Sequence, residues 1–247
     1  GDGTFGGEAI LSTGGWPGDV AVADVNRDGK PDVLSVNLFG GDVSVFLGTG
    51  TGTFTSASSI QVGSGPADLS LADLNADGRL DMVVVNSDID SISLYYGNGT
   101  GGFVPVGFSN LNLTEVPDRM ASADINGDGK LDFVASVAGA GFVAGTVRPY
   151  LGIGSGWFTA GTPVTVGISP RGLDIADLNG DGKLDIAVPN FNSSTVTVLL
   201  GDGAGGFSAT GASPIAVGTR PNTVKIADIN GAHGVHRGGF FVKAALQ

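Results

Sequence analysis

The sequence contains no cysteine and only two histidines among 247 residues. Without cysteine the fold can use neither disulfides nor thiolate metal sites. No apolar run approaches the eighteen or so residues that a membrane-spanning helix needs. The twelve lysines and arginines form no basic stripe that could neutralise a row of phosphates. We therefore expect neither a membrane span nor a nucleic-acid partner.

What the chain has in abundance is glycine and acid. Its 44 glycines lack the every-third-residue period of collagen, so they indicate turns. A hydrophobic content of 41% predicts a globular chain with a core. The 24 acids against 12 bases give a net charge of −12. Because the chain begins at Gly1 rather than at methionine, we expect that it has been trimmed and that its targeting signal is not included.

A nine-residue pattern, D-x-N-x-D-G-x-x-D, occurs four times, at Asp24 to Asp32, Asp73 to Asp81, Asp124 to Asp132 and Asp177 to Asp185. Ca²⁺ takes six to eight oxygen ligands, and positions 1, 3, 5 and 9 of each loop supply carboxylate or amide oxygens. Position 7 supplies a backbone carbonyl, and the glycine at position 6 permits the sharp turn. Four calcium sites are therefore predicted. Their side-chain ligands are Asp24, Asn26, Asp28, Asp32, Asp73, Asn75, Asp77, Asp81, Asp124, Asn126, Asp128, Asp132, Asp177, Asn179, Asp181 and Asp185, and their carbonyl ligands are those of Lys30, Arg79, Lys130 and Lys183.

These loops are not EF-hands, which need an acidic residue at position 12. The residues there are Ser35, Val84, Ala135 and Val188. Alternating and β-branched runs flank each loop, which predicts a loop between two antiparallel strands. Ordinary Asp/Asn/Gly turns without metal remain the alternative. The four loops hold twelve carboxylates and the other twelve acids balance the twelve bases, so the acidity of the chain belongs to the loops.

Two further motifs keep the same period of about fifty residues. Glycine-rich turns that end in phenylalanine lie at Leu47 to Phe54, Tyr96 to Phe103, Leu151 to Phe158 and Leu200 to Phe207. No helix pattern follows them, so they are predicted to be hairpin turns rather than phosphate-binding loops. A proline precedes the first Asp of each loop by seven residues, at Pro17, Pro66, Pro117, Pro170 and Pro221.

The predicted order of elements in each unit is therefore strand, acidic loop, strand, turn, strand, glycine turn and strand. This order predicts an all-β fold, a β-propeller of about five four-stranded blades in a single domain over residues 1–247. The repeat units are about 5–53, 54–102, 103–157, 158–206 and 207–247.

The fifth unit departs from the pattern, because Ala232 and His236 stand where the other units have aspartate. The tail 231–247 contains no acid and both histidines, which indicates foreign or frame-shifted sequence. We expect Phe240 to Leu246 to pair as a substitute strand. We also expect the N-terminal strand, Glu8 to Ser12, to close the ring by joining the incomplete last blade.

The acidic loops and glycine turns resemble the FG-GAP/VCBS repeats of integrin α-chain-type propellers and their bacterial secreted relatives. The resemblance covers nearly the whole chain. It implies calcium in a structural role on the face opposite the usual ligand surface, and a secreted or cell-surface location. Position 3 is Asn where the family often has Asp, which implies weaker binding of calcium.

Ligands of propellers usually bind at the axial mouth, which the prolines locate. Residues beside them suit hydrogen bonding to a polar ligand, and the predicted ligand-binding set is Trp16, Asp19, Asp68, Asp118, Arg119 and Arg171, with Arg220 and Asn222 nearby. The alternatives are that the three aspartates only cap turns and that Trp16 belongs to the core.

Three functional hypotheses follow. The first is a calcium-stabilised, secreted, non-catalytic module that binds a carbohydrate or a protein. The second is a polysaccharide-acting lyase or glycoside hydrolase that uses carboxylates such as Asp19 and Asp68 with the arginines at the mouth. The third is a structural repeat fragment of a larger surface protein. The sequence contains no G-x-S-x-G or H-E-x-x-H motif that would indicate catalysis, so the binding module is the preferred hypothesis.

Overall fold

The computed structural model describes residues 10–106, 111–112, 117–154, 156–211, 213–227 and 241–246, and for 111–112 and 241–246 it describes the backbone alone. These residues form antiparallel β-strands, and no helix occurs among them. In this described part of the chain, no helix is therefore long and apolar enough to cross a membrane.

The strands form successive sheets in chain order. The first sheet has the order β1 (Pro17–Ala23), β2 (Asp32–Asn37), β3 (Asp42–Gly48) and β4 (Phe54–Gln61). The second consists of β5 (Pro66–Ala72), β6 (Asp81–Asn86), β7 (Ser91–Gly97) and β8 (Phe103–Pro105), with β9 (Leu111–Asn112) also paired to β7.

The next two sheets repeat the plan. The third consists of β10 (Pro117–Ala123), β11 (Asp132–Val137), β12 (Ala144–Gly154) and β13 (Trp157–Ala160), with β14 (Val164–Ile168) paired to β12. The fourth consists of β15 (Asp174–Ala176), β16 (Asp185–Asn190), β17 (Thr195–Gly201) and β18 (Phe207–Ala209), with β19 (Ile215–Ala216) paired to β17. The fifth sheet has two strands, β20 (Pro221–Ala227) and β21 (Phe241–Leu246).

This arrangement confirms the predicted all-β propeller with an incomplete last blade. The tail does supply a strand to the fifth sheet, since β21 pairs with β20 from Ala227↔Phe241 to Pro221↔Leu246. The sheets are out of phase with the sequence units, because each sheet begins at or just after a proline and continues past the glycine turn. The period of the sequence predicts the length of a repeat. The strand at which each sheet begins is decided by the hydrogen bonds between strands.

The core lies in layers between successive sheets. The second strand of each of the first four blades is buried on both faces, as in β6 and β16, because it is packed between neighbouring blades. Leu34 and Val36 of the first sheet pack with Leu69 and Met82 of the second, and the same kind of layer recurs between each later pair of sheets. Burial of these apolar side chains is the main stabilising term.

The first blade has an uncovered side. Val20 and Val22 are 58% and 64% exposed, whereas Leu69 and Val224, which match Val20 in the second and fifth blades, are 7% and 1% exposed against the preceding blade. No sheet within the described ranges packs on this side of β1. The predicted closure by Glu8 to Ser12 falls partly on residues 1–9, outside the described residues, and residues 10–12 form no strand.

Candidate functional site

The four acidic loops each join the first two strands of a blade and share one conformation. In the first loop, Oδ1 of Asp24 accepts the N–H of Asp28 at 3.1 Å and Oδ2 accepts that of Gly29 at 2.8 Å. The amide oxygen of Asn26 accepts the N–H of Asp28 at 3.0 Å. The other three loops make the same bonds. The glycine at position 6 has φ near +80° in every loop, as the sharp turn requires.

The aspartate at position 9 has a different role from the others. Asp32 is fully buried; its Oδ2 accepts the N–H of Val25 at 2.9 Å and its Oδ1 accepts that of Gly48 at 2.8 Å. The three later loops repeat this pair of bonds. This carboxylate therefore fastens the acidic loop to the glycine turn that follows the third strand.

The glycine that receives this bond is required by close approach. In the second blade, a side chain on Gly97 would overlap the carbonyl oxygen of Leu80, which is position 8 of the acidic loop. The same overlap occurs at Gly48, Gly152 and Gly201. Since acidic loop and glycine turn are in direct contact, their common period along the sequence has a physical cause.

The donor chemistry of the loops fits a hard cation, because every predicted ligand is an oxygen. Burial raises the pKa of Asp81, and repulsion from the carboxylates of Asp77 and Asp73 raises it further. The corresponding carboxyls of Asp132 and Asp185 are affected in the same way. A cation at this position would relieve that repulsion. Within the described ranges, however, no three acidic, histidine or cysteine side chains converge closely enough to hold a metal ion as they stand.

The antiparallel order of the strands gives the molecule two faces. The acidic loops and the glycine turns lie at one end of each of the first four sheets, which we name the loop face. The connections through the prolines and the turns between second and third strands lie at the other end, which we name the mouth face.

The mouth face contains a cavity of about 230 Å³ that gathers residues from all five repeats. It contains five of the six residues predicted to bind ligand, including the acid of the first repeat and the arginine of the fourth. Its lining is Asp19, Asp68, Asp118, Arg119, Met120, Arg171, Gly172, Leu173, Asn222, Thr223 and Lys225.

The aspartates at the start of the blades do not cap their own turns. Asp19 Oδ2 accepts the N–H of Leu69 at 3.2 Å, and Asp68 Oδ2 accepts the N–H of Met120 at 2.5 Å. Each carboxyl thereby joins the first strand of one blade to that of the next. Asp118 instead lies 4.0 Å from the guanidinium of Arg119.

Asp19 and Asp68 also interact with each other. Burial and a side-chain hydrogen bond with Asp19 raise the pKa of Asp68 well above its ordinary value. Asp68 is 8% exposed. Glycoside hydrolases hold their two carboxyls about 5 Å apart or more, so that the sugar or a water fits between them. Here each carboxyl is already engaged by a backbone N–H of the next blade.

The opposite wall of the cavity is basic. Arg171 donates to the side-chain oxygen of Asn222 at 3.2 Å, and its guanidinium lies 4.4 Å from the ring centroid of Phe191. Asp174 of β15 and Lys225 of β20 form an ion pair of 3.5 Å across the blade interface. Lys225 also lines the cavity, so it contributes both to the interface and to the wall.

Trp16 does not line this cavity, contrary to its predicted place. It is 66% exposed and meets the ring of Phe39 edge to face at 5.4 Å. Its carbonyl accepts the N–H of Leu38, which turns the segment before Pro17 towards the β2–β3 turn instead of the axis. Trp16 is therefore neither part of the core nor part of the cavity.

Phe191 was missed at the sequence level. It follows Asn190, which is fully buried and donates to the hydroxyls of Thr195 and Thr197. The asparagine recurs five residues after the last Asp of three loops, at Asn37, Asn86 and Asn190. That period could have located the β2–β3 turns, and with them the apolar side chains on the mouth face.

One protein-family profile matches more than half of the chain. A profile described as an FG-GAP-like repeat matches residues 1–35, 24–84, 73–135 and 177–231, which together exceed half of the chain. The chain belongs to the FG-GAP-like repeat family. The matches follow the acidic loops and omit residues 136–176, where the third blade has the longer β12 and no asparagine at position 137.

Solved structures agree with an FG-GAP propeller. An Agrocybe aegerita lectin that recognises non-reducing terminal N-acetylglucosamine is 24% identical, with a TM-score of 0.52 over 77% of this chain and 51% of its own. BBS1N, solved in a complex with ARL6DN, is 14% identical with a TM-score of 0.62 over 87% of this chain and 61% of its own. A protein of unknown function from Desulfotomaculum acetoxidans is 16% identical with a TM-score of 0.56, over 88% and 61% respectively.

These identities support the fold alone. This chain spans between half and two thirds of the length of each of those structures. No curated protein matches it.

Proposed function

We propose that this FG-GAP propeller is a non-catalytic module that binds a carbohydrate in the mouth cavity, and that calcium in the four acidic loops stabilises it outside the cell. The observation that carries the proposal is the convergence of carboxyl, guanidinium and amide groups from all five repeats on one cavity. Several polar groups in a concave site fix the orientation of a ligand with many hydroxyls.

The lining chemistry favours binding over catalysis. The carboxyls of Asp19 and Asp68 are bound to backbone N–H groups of the next blade and to each other. A carboxyl engaged in this way holds blades together and is poorly placed to transfer a proton to a glycosidic oxygen. The lectin of similar fold supports a carbohydrate ligand, and BBS1N in its complex supports a protein as the alternative.

Calcium and an extracellular setting are proposed from the loops. Each loop holds three carboxylates and an amide oxygen in one short turn, and no cysteine is available for a disulfide staple. A ligand that binds only the folded chain stabilises it. Millimolar calcium, as found outside cells, would therefore act as the staple.

A glycan array tests the binding function, with the chain applied once in millimolar calcium and once with a chelator. Thr223→Trp fills the cavity without changing its charge, because Thr223 is exposed in its wall. Thr159→Trp is the matched control, since Thr159 is exposed on the outer strand β13. We expect Thr223→Trp to abolish binding and Thr159→Trp to leave it intact.

Binding that survives Thr223→Trp would place the ligand elsewhere and overturn the assignment of the cavity. A blank array in calcium would overturn the carbohydrate ligand and favour a protein partner or a structural fragment. Turnover of a polysaccharide by the wild-type chain, lost on Arg171→Gln, would overturn the non-catalytic role.

A further inference from the structure

Two arginines on the mouth face share one aromatic ring. The guanidinium carbon of Arg171 lies 4.4 Å from the ring centroid of Phe191, and that of Arg220 lies 5.7 Å from it. Such cation–π contacts hold a guanidinium in place while leaving its N–H donors free for other partners. Of these three residues Arg171 lines the cavity, and Phe191 connects its guanidinium to that of Arg220 through one ring.

Within the described part of the chain, no carboxylate neutralises either arginine. Among the residues that the structure describes, Arg171 and Arg220 form no ion pair, although the chain carries twice as many acids as bases. Among these residues, the guanidinium of Arg171 makes one hydrogen bond, to the neutral amide of Asn222. The remaining cations at the cavity, Arg119 and Lys225, face Asp118 and Asp174 respectively. Arg171 and Arg220 are therefore the cations left for a ligand.

The cavity consequently has an acidic side and a basic side. The first three repeats contribute Asp19, Asp68 and Asp118, and the fourth contributes Arg171, which lies beside Phe191. Carboxyls on one wall accept hydrogen bonds from hydroxyl groups, whereas guanidinium groups on the other bind a carboxylate, often with two parallel bonds.

We propose that the ligand of this cavity is an acidic saccharide, a uronate whose carboxylate is bound by Arg171 and Arg220 beside Phe191 and whose hydroxyls face the aspartates. This inference rests on the proposed carbohydrate-binding function and adds the charge class of the sugar. Phe191 contributes an apolar ring edge against which C–H groups of a pyranose can pack.

A matched pair of ligands provides the test. Titration calorimetry compares an oligogalacturonate with the same oligosaccharide after methyl esterification, which removes the charge and keeps every hydroxyl. We expect esterification to weaken binding at least tenfold, since charge-assisted hydrogen bonds are about twice as strong as neutral ones. Arg171→Gln and Arg220→Gln should each weaken binding of the acid form about tenfold and leave binding of the ester nearly unchanged.

The control variant is Arg27→Gln, which removes the same charge on the loop face. Equal loss of affinity in Arg27→Gln would mean a general effect of net charge and would overturn the inference. Equal affinity for acid and ester would also overturn it while the carbohydrate-binding function stands. Binding of neither form, with a neutral glycan bound on the array, would likewise overturn the charge class alone. If no glycan binds and poly-glutamate does, both the inference and the carbohydrate function fail.

Discussion

The loop face and the mouth face of this propeller are built from the same strands, but residues repeat from blade to blade on the first face and vary on the second. On the loop face, four blades repeat the same residues and the same hydrogen bonds, down to the buried aspartate that meets the glycine turn. On the mouth face, the residue that follows the proline differs in every blade, as Gly18, Ala67, Asp118, Arg171 and Asn222. Repetition on the loop face fits a shared role in stability, whereas variation on the mouth face brings different polar groups to one cavity.

Removal of calcium tests whether the repeated loops of the loop face stabilise the fold. A ligand at a hundredfold excess over its Kd contributes about 2.7 kcal/mol per site, so four sites would give the largest effect we expect. Addition of a chelator should lower the Tm strongly, and calcium should restore it. An unchanged melting curve by circular dichroism after thorough chelation would contradict the metal role of the loop face.

The second prediction separates the two roles of aspartate within one loop. Asp132→Ala leaves the N–H groups of Ile125 and Gly152 without their acceptor in a buried place, which should cost about 3 kcal/mol even in chelator. Asp128→Ala, at the exposed position 5, should cost less than about 1 kcal/mol in chelator. Urea unfolding measures both. Equal losses would show that position 9 acts only through the metal.

The third prediction concerns the contact between loop and turn. In Gly97→Ala the new methyl group overlaps the carbonyl oxygen of Leu80, so the backbone must move, and we expect a loss of about 2 kcal/mol. Gly18→Ala on the mouth face is the control, because its nearest neighbour, the carbonyl oxygen of Ala67, would lie 3.9 Å away. Thermal melts of the two variants should therefore differ clearly, and similar values would remove the steric argument.

The smallest expected effect lies on the mouth face and depends on pH. Because the pKa of Asp68 is raised in the folded chain, the folded state binds more protons than the unfolded state between about pH 4 and that pKa. The stabilising contribution of Asp68 is thus present below about pH 4 and is lost as the pH rises through the folded pKa.

Asn at this position imitates the protonated acid, so Asp68→Asn should make the Tm fall less between pH 4 and 7 than in the wild type. Asp118→Asn serves as the control, since no backbone N–H of the next blade is donated to that carboxyl among the described residues. If both variants follow the wild-type pH profile, Asp68 does not titrate in this range.

Much of the loop face could be predicted from the sequence. Its loops are local: the residues that bond to one another are two to seven positions apart, so spacing alone carries the geometry. The period of the prolines and glycine turns then predicted the number of blades and the incomplete fifth. The tail could be assigned a strand because an unpaired edge accepts any extended segment.

The mouth face required the tertiary structure. Asp19 reaches Leu69 and Asp68 reaches Met120 across about fifty residues, and no local pattern states which N–H a carboxyl will meet. The prolines indicated which residues lie near the axis, yet Trp16 turned outward because the backbone pairs with Leu38. The contacts of Phe191 with Arg171 and Arg220 could be seen only in the packed structure.

The sequence by itself thus determined the repeat, the acidic loops and the family, because these depend on short spacings between residue types. The packing of the blades was needed to show which side chains share the cavity, which carboxyls are engaged between blades and which arginines contact Phe191. The physical reason is that contacts between blades depend on the rotation of one sheet against the next, which residues fifty positions apart do not encode locally.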